Sequence, residues 1–380
     1  MKIKLRICML SSGHHPNDDR IFYKEARSLA KIYDDVWILS PYSSDVPVEK
    51  DGVQFISVPS YSRSIYDRFR NMKKLYREAL RLNADIYHCH EPESLIVANK
   101  LKKVLGCMVI FDSHEMYSAT LAQKFPKFLH AQVMNLYKRY EQRKVIDCDF
   151  VIGATWSITE YFSEIISKEK TETILNCTLP EIFGYVPANK SMENIIICHD
   201  GSLPFSRGLK TMVKAVEIVR KKYPVKFKIV GDVYNQERKW LESYLSEHRL
   251  EDVITRTGWL DYRKVGQAMS ECHIGLLALE RLPNHVIAAP NKIFNYMYFG
   301  LPFVVPNFCA DLNKLIKEEN CGVTADSRSG KSYAQAIIHL IESKEKFIEM
   351  GLNAKKASET KYSWPIMERS LFNIYEKLSN

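Results

Sequence analysis

Apolar residues along the chain gather in short runs separated by longer stretches in which they recur at helical spacing. In the first half the runs fall at 4–10 (KLRICML), 36–40 (VWILS), 53–58 (VQFISV), 85–89 (DIYHC), 107–112 (CMVIFD), 149–153 (DFVIG) and 172–176 (ETILN). In the second half they fall at 194–199 (NIIICH), 225–230 (VKFKIV), 252–256 (DVITR), 273–278 (HIGLLA) and 302–306 (PFVVP). Runs this short and this continuous read as strands buried on both faces, and their alternation with amphipathic helices predicts parallel sheets covered by helices. The stretch 177–192, CTLPEIFGYVPANKSM, has two prolines and no period, so it reads as a linker between two doubly wound α/β domains. The predicted division is 1–180 and 181–362, with a final helix over 363–380.

One segment departs from simple alternation. In APNKIFNYMYFGLPFVVP, residues 289–306, a helix leads directly into a strand. At about 100° per residue, Ile293, Phe294 and Met297 share one face, and Asn291, Lys292 and Asn295 share the other. Pro290 suits the helix start and Gly300-Leu301-Pro302 ends it. Such a start presents free N–H groups and a positive partial charge, so the polar trio faces either water or an anionic ligand.

Length and composition narrow the class. The 380 residues, 46% hydrophobic and 26% charged, suit two soluble domains of ordinary size. No apolar run reaches the ~18–20 residues of a membrane span. The opening MKIKLRICML stops too soon for an export segment, so it is expected to be the first strand of a cytoplasmic protein. Nine cysteines, without a CxxC pair, read as reduced core thiols and give neither a disulfide framework nor a zinc site. His88 and His90 share a strand face, but no further ligand lies within sequence reach, and no metal is expected there.

The net charge of +9 is concentrated in two places. Segment 62–82 has seven Lys or Arg against two acids, and segment 124–144 has six against one. Both are helix-like, with aromatic and aliphatic residues between the bases. They fit either a helix resting on anionic lipid headgroups or an ordinary solvated face. No nucleic-acid-reading motif accompanies the charge.

Ligands of open α/β sheets bind beyond the carboxyl ends of the strands. Four such ends carry suggestive residues: Ser12-Gly13-His14 through Arg20, Ser113-His114-Glu115, Asp200-Gly201-Ser202 through Lys210, and the 289–306 segment. None has the GxGxxG or GxxxxGK[ST] spacing, which sets aside dinucleotide dehydrogenases and P-loop NTPases.

In order, DDRIFYKEARSLAK, DIYHCHEPES, VIFDSHEMY, GSLPFSRGLKTMVKA, FKIVGD, VITRTGWL and PNKIFNYMYFGLPFVV resemble the family-4 retaining glycosyltransferases over nearly the whole chain. The resemblance implies a GT-B fold, in which two facing Rossmann-like domains enclose a cleft. It implies metal-independent transfer from a nucleotide sugar, UDP-linked before GDP-linked, to a saccharide or lipid-linked acceptor in bacterial envelope polysaccharide or glycan assembly, without a cofactor. A leaving diphosphate gains charge, and a metal-free site must meet it with bases and oriented N–H groups. Arg207 matches the family's phosphate-binding base. Lys292 and the N–H groups within 290–293, of which Pro290 has none, would assist, with Lys210 either helping or lying on a solvated helix face. Gly201 and Ser202 form the donor loop, where Ser202 replaces a base common in the family. Gly13 matches the backbone position that approaches the phosphates, and His114 matches the histidine facing the donor sugar. The nucleobase would be gripped near Trp259, Leu260, Asp261 and Tyr262. His14, Arg20 and Glu115 are acceptor-side candidates, with a plain ion pair or helix-surface role as the alternative for Arg20 and Glu115. Asn291 and Asn295 complete the donor list, and Asn295 stands where a ribose-binding glutamate is usual, with Ile287 eight positions earlier. These departures keep two alternatives open: an inactive or weakly active nucleotide-sugar-binding relative, and a nucleotide-sugar 2-epimerase of the same fold. The latter requires acid/base carboxylates, and no paired set occurs in the matched loops.

Overall fold

The computed structural model describes residues 2–41, 48–58, 65–184 and 194–379, with only the backbone of 65–69. The chain divides into two compact units, Met1–Leu175 with Met367–Asn380, and Asn176–Ile366. Of the expected linker, 185–192 lies outside the described residues, as do 62–64 of the first basic segment.

The first unit is built on β1 (Ile3–Leu10), β2 (Tyr33–Ser40), β3 (Glu49–Lys50), β4 (Val53–Ser57), β5 (Ile86–Cys89), β6 (Met108–Ser113), β7 (Phe150–Gly153) and β8 (Thr171–Thr173). They form one sheet in the order β3-β4-β2-β1-β5-β6-β7-β8, parallel except for the β3–β4 pair. The second unit holds β9 (Ile195–Asp200), β10 (Val225–Val230), β11 (Ile254–Arg256), β12 (Ile274–Leu276), β13 (Phe303–Pro306) and β14 (Gly322–Ala325). Their order is β11-β10-β9-β12-β13-β14, all parallel. All the expected strands are present, with ends displaced by a few residues. The additions are β3, too short and polar to stand out, and β14, whose glycine and threonine dilute its apolar signal.

Burial explains the continuous apolar runs. Ile7, Cys8, Met9 and Leu10 of β1 are fully buried, as are Val109, Ile110 and Phe111 of β6. The second unit packs Ile197, Phe227, Ile229, Leu276 and Val304 against Met212, Val216, Tyr333 and Ile337 from its covering helices. All nine cysteines are free and buried. In both sheets the order reverses beside the first strand of the unit, between β1 and β5 and between β9 and β12. The turns that follow these strands bear the chemistry.

Candidate active site: two strand-end clusters

In the first unit, β1 runs into a turn organised by one carboxylate. Glu91, just beyond β5, accepts from Ser11 Oγ at 2.6 Å and from the Ser12 amide at 2.8 Å, with the Gly13 amide at 3.3 Å. The His14 amide donates to Ser11 Oγ. The Gly13 N–H therefore faces inward. A Cβ on Gly13 would meet nothing nearer than Glu91 Oε1 at 3.9 Å, so the fold itself makes no demand for glycine here. Any such demand comes from what approaches the turn.

His14 sits between two acids, with Nδ1 3.0 Å from Asp18 Oδ2 and Nε2 3.6 Å from Glu91 Oε1. Burial alone would lower its pKa, but the hydrogen bond to Asp18 and the charges of Glu91, Asp18 and Asp112 outweigh that and raise it to about 9. Asp18 is held below the usual carboxylate range, because His14 and the helix amides outweigh its burial. It caps the next helix through the amides of Arg20 and Ile21. That helix begins as a wide π-helical stretch, Asp19–Ala26, a form that recurs at functional sites.

His114 lies just past β6. Its Nε2 is 2.8 Å from Asp112 Oδ2, and its ring stands edge-on to that of His14, 5.1 Å away. A carboxylate only accepts, so Nε2 carries the hydrogen. Glu115 is half-buried, with its carboxylate accepting from Thr120 Oγ1 at 3.0 Å.

Arg20 follows the ion-pair reading: it is buried, with Nε and Nη2 bound to Asp112 at 2.7 and 2.8 Å and Nη1 to the Ile174 carbonyl. An arginine this deep needs paired acids, and Asp112 with Glu25 supplies them. His88 and His90 also gain neighbours that spacing did not reveal: Glu25 and Asp112 complete a group of ligand-type atoms within 4.8 Å of one another.

In the second unit, β9 ends at Asp200 and turns at Gly201, whose φ is +87°. The following loop brings Arg207 back to Ser202, with Nη1 3.2 Å from Ser202 Oγ. Gly208 then opens the helix Leu209–Arg220 at φ +89°, where a Cβ would lie 2.1 Å from the Ala278 carbonyl oxygen, so only glycine fits. Arg207 is half-buried, more than a strand-end arginine is expected to be, and burial lowers its pKa. Among the described residues it faces no acid within ion-pair distance.

Lys292 opens the helix Asn291–Tyr298, whose first amides have no side-chain cap. It is only 8% exposed, and its Nζ would lie 3.3 Å from a Cβ on Gly201. No hydrogen bond or ion pair satisfies that ammonium among the described residues. Burial lowers its pKa to about 8, and the charge of Arg207 pushes the same way against the pull of Asp200. Two poorly matched cations thus converge on one glycine turn. Asn291 is half-buried at the same helix start.

The other candidates in this unit separate from that pair. The Lys210 ammonium lies 4.4 Å from the Phe205 ring centroid and 5.6 Å from that of Trp240, a cation–π contact on its own helix face. Asn295 is 9% exposed, donates to Asp200 Oδ2 at 2.7 Å and accepts from Thr178 Oγ1 at 2.7 Å, so both ends of its amide are engaged. A glutamate there would press a second negative charge on Asp200, whereas the amide supplies a donor. The residue is matched to Asp200 and Thr178. Leu260 is half-buried beside the exposed Trp259, and Asp261 caps the helix Tyr262–Ser270. Tyr262 packs edge-on against Phe183, with ring centroids 6.2 Å apart. The sequence reading missed the supporting acids Glu91, Asp112, Asp18 and Asp200, because acids near strand ends look like ordinary caps until their partners are visible.

Comparison with known proteins fits this arrangement. Residues 20–178 match the family described as Glycosyltransferase Family 4, and residues 194–343 match Glycosyl transferases group 1. A glycosyltransferase of Haemophilus influenzae, itself uncharacterised, is 24% identical over 221 residues; the match takes in 57% of this chain and 58% of that relative. The sucrose-phosphate synthase of Thermosynechococcus elongatus superposes with a TM-score of 0.78 at 15% identity, covering 99% of both chains. Anabaena HepE, solved in complex with UDP, superposes with a TM-score of 0.73 at 15% identity, covering 99% of this chain and 100% of its own. Likeness at that identity speaks for the fold, and the family matches over both units speak for the class. The chain belongs to the glycosyltransferases of the GT-B fold, with a family 4 region followed by a group 1 region.

Proposed function

We propose that the protein is a retaining, metal-independent glycosyltransferase that takes its sugar from a nucleoside diphosphate sugar, UDP-linked by preference, and passes it to a saccharide or lipid-linked acceptor. The observation that carries this reading is the convergence of Arg207 and Lys292 on the Gly201–Ser202 turn, with no acid within ion-pair distance of either among the described residues. Burying cations so incompletely paired costs stability, and a diphosphate offsets the cost. The same charges stabilise the diphosphate as it departs, which is the role a metal ion would otherwise fill. The free amides at the start of the 291–298 helix point to the same kind of anion.

In this reading the first unit carries the acceptor chemistry. His114, fixed by Asp112, orients the donor sugar through a hydroxyl, and Gly13 leaves room for substrate beside the turn. His14 and Glu115 are the acceptor-side groups. UDP is favoured because UDP occupies the similar HepE structure. A thermal-shift series with UDP, GDP, ADP and their sugars tests the donor assignment. A selective rise in melting temperature with one nucleoside diphosphate is the expected outcome. No rise with any of them would remove the donor role from the Arg207–Lys292 pair.

A lipid-linked acceptor would place the protein at a membrane surface. No helix among the described residues is long and apolar enough to cross one. The helix His130–Val145 and the turn before it expose Phe128 at 76% and Leu136 at 65%, among Lys124, Lys127, Lys138 and Arg139. Apolar side chains interleaved with bases suit peripheral contact with anionic headgroups. Neutralising Lys73, Lys74, Arg77 and Arg81 of the helix Ile65–Leu82 is expected to weaken sedimentation with anionic liposomes. Unchanged sedimentation would discard the membrane reading while leaving the donor assignment intact.

A further inference from the structure

Beneath His114 the first unit buries two carboxyl groups against one guanidinium. Arg20 Nε lies 2.7 Å from Asp112 Oδ2 and 2.9 Å from Glu25 Oε1, and all three residues are buried. Such a cluster can balance its charge in three ways. It can bind a cation, protonate a histidine, or keep a proton on one acid.

The hydrogen bonds discriminate among these. Asp112 receives Arg20 Nε and Nη2 at 2.7 and 2.8 Å and His114 Nε2 at 2.8 Å, with His90 Nδ1 at 3.3 Å. Little of its lone-pair capacity remains for a metal. His88 and His90 are fully buried, which drives both toward the neutral form. Glu25 is the odd member. The Arg20 N–H near it is aimed at Asp112, and neither Glu25 oxygen has a hydrogen-bond partner, though both are buried. A buried carboxylate that accepts nothing is costly, whereas a carboxylic acid beside a carboxylate brings its own donor.

We propose that Glu25 is held as a carboxylic acid that donates its proton to Asp112, and that it is a positioning residue for His114. The pair then carries one negative charge, matched by Arg20. Asp112 is pinned from one side by Glu25 and Arg20 and offers Oδ2 to His114 Nε2–H. The other ring nitrogen of His114 is left as the acceptor that a sugar hydroxyl would meet. Burial and the neighbouring charge of Asp112 raise the Glu25 pKa well above the carboxylate range, with Asp18 adding to the rise and Arg20 opposing it. His88, His90 and Tyr375 are the other titratable groups close to it. The inference deepens the reading of His114 given above and rests on it only for the final step.

The test uses the full chain and needs no substrate. An infrared difference spectrum, wild type minus Glu25→Gln at pH 8, is expected to show a carboxylic-acid carbonyl band. A carboxylate band in its place would overturn the proposal. Nitrogen NMR of labelled histidine, with His114→Gln to assign the signal, is expected to report a ring hydrogen on Nε2 bonded to a carboxylate. Glu25→Gln, whose amide can donate to Asp112, should keep that signal, and Glu25→Ala should displace it. Equal displacement in both variants overturns the proposal, as does a stoichiometric metal in the wild type that Glu25→Gln releases. Should Glu25→Ala fail to fold, the infrared comparison decides alone. None of these readouts depends on donor binding, so a failed donor assignment would leave them standing.

Discussion

Asp112 in the first unit and Lys292 in the second are both buried charges near the carboxyl end of a parallel sheet, yet their surroundings are opposite. Asp112 is enclosed by donors from Arg20 and His114, and its pKa is held well below normal despite burial. Lys292 has no such enclosure, and burial pulls its pKa down to about 8. Glu91 repeats the first pattern by collecting Ser11, Ser12 and Gly13, and Arg207 repeats the second by finding, among the described residues, only Ser202. One unit spends its polar groups on one another and so fixes the aim of a few side chains. The other leaves positive charge underused, a state that makes physical sense when an anion arrives to complete it.

The strongest way to break this contrast is to remove the underused charge. Arg207→Ala is expected to lower transfer from a nucleotide sugar by about 10²–10³-fold, the scale seen when one stabilising group is lost from a charged transition state. Its melting temperature should change little, because among the described residues the guanidinium holds no partner beyond Ser202. Steady-state transfer assays beside thermal melts would check both halves. An enzyme with most of its activity retained would remove Arg207 from the diphosphate.

Lys292→Met sharpens the same point by moving binding and stability in opposite directions. The lysine folds with a pKa of about 8, below its ordinary value of 10.5, so burying the ammonium opposes folding fully below pH 8. The penalty fades as pH rises from 8 toward the unfolded value. The shift corresponds to roughly 3 kcal/mol as an upper figure. Methionine keeps the stem and drops the charge, so melts at pH 7 should show a more stable protein. Calorimetric UDP binding should weaken by about 10–100-fold, the worth of one charge-assisted contact. A destabilised variant would show instead that the ammonium is held by the fold.

The contrast also governs what could be read from the sequence. Parallel strands are buried on both faces, so β1, β6, β9 and β13 announce themselves as apolar runs, and the two-domain plan follows from their alternation. Glycine positions were legible where a turn forces the backbone, as at Gly201 and Gly208. Arg207 and Lys292 were legible because a base at a strand end or helix start has few structural reasons to be there. The enclosed network was not. Arg20 and Asp112 are 92 positions apart, and Asn295 and Asp200 are 95 apart, so no local pattern couples them. Arg20 looked like an acceptor ligand and Asn295 like a weakened ribose ligand for that reason.

A pH titration of UDP binding separates the two units more finely. An anion favours the charged form of Lys292, so UDP affinity should be level up to pH 8 and then fall by up to about tenfold per pH unit. Lys292→Met should lose that slope. A slope that persists in the variant would assign the titration to another group, and His14, raised to about 9, is the first to examine.

His14 offers the mildest test, and it probes the enclosed side of the comparison. Its two ring nitrogens face Asp18 and Glu91, an arrangement that suits an imidazolium donating at both ends. A histidine whose pKa rises on folding adds stability that is complete below the unfolded value, near 6.5, and lost as pH climbs through about 9. The stability difference between wild type and His14→Gln should therefore be largest in mildly acidic buffer and vanish above pH 9. With a third of the side chain exposed, the difference should stay within about 1 kcal/mol. Thermal midpoints of both proteins from pH 6 to pH 10 would show it. A difference that grew with pH would mean that His14 is neutral in the folded chain, and the Ser11–Asp18 turn would then be held by Glu91 alone.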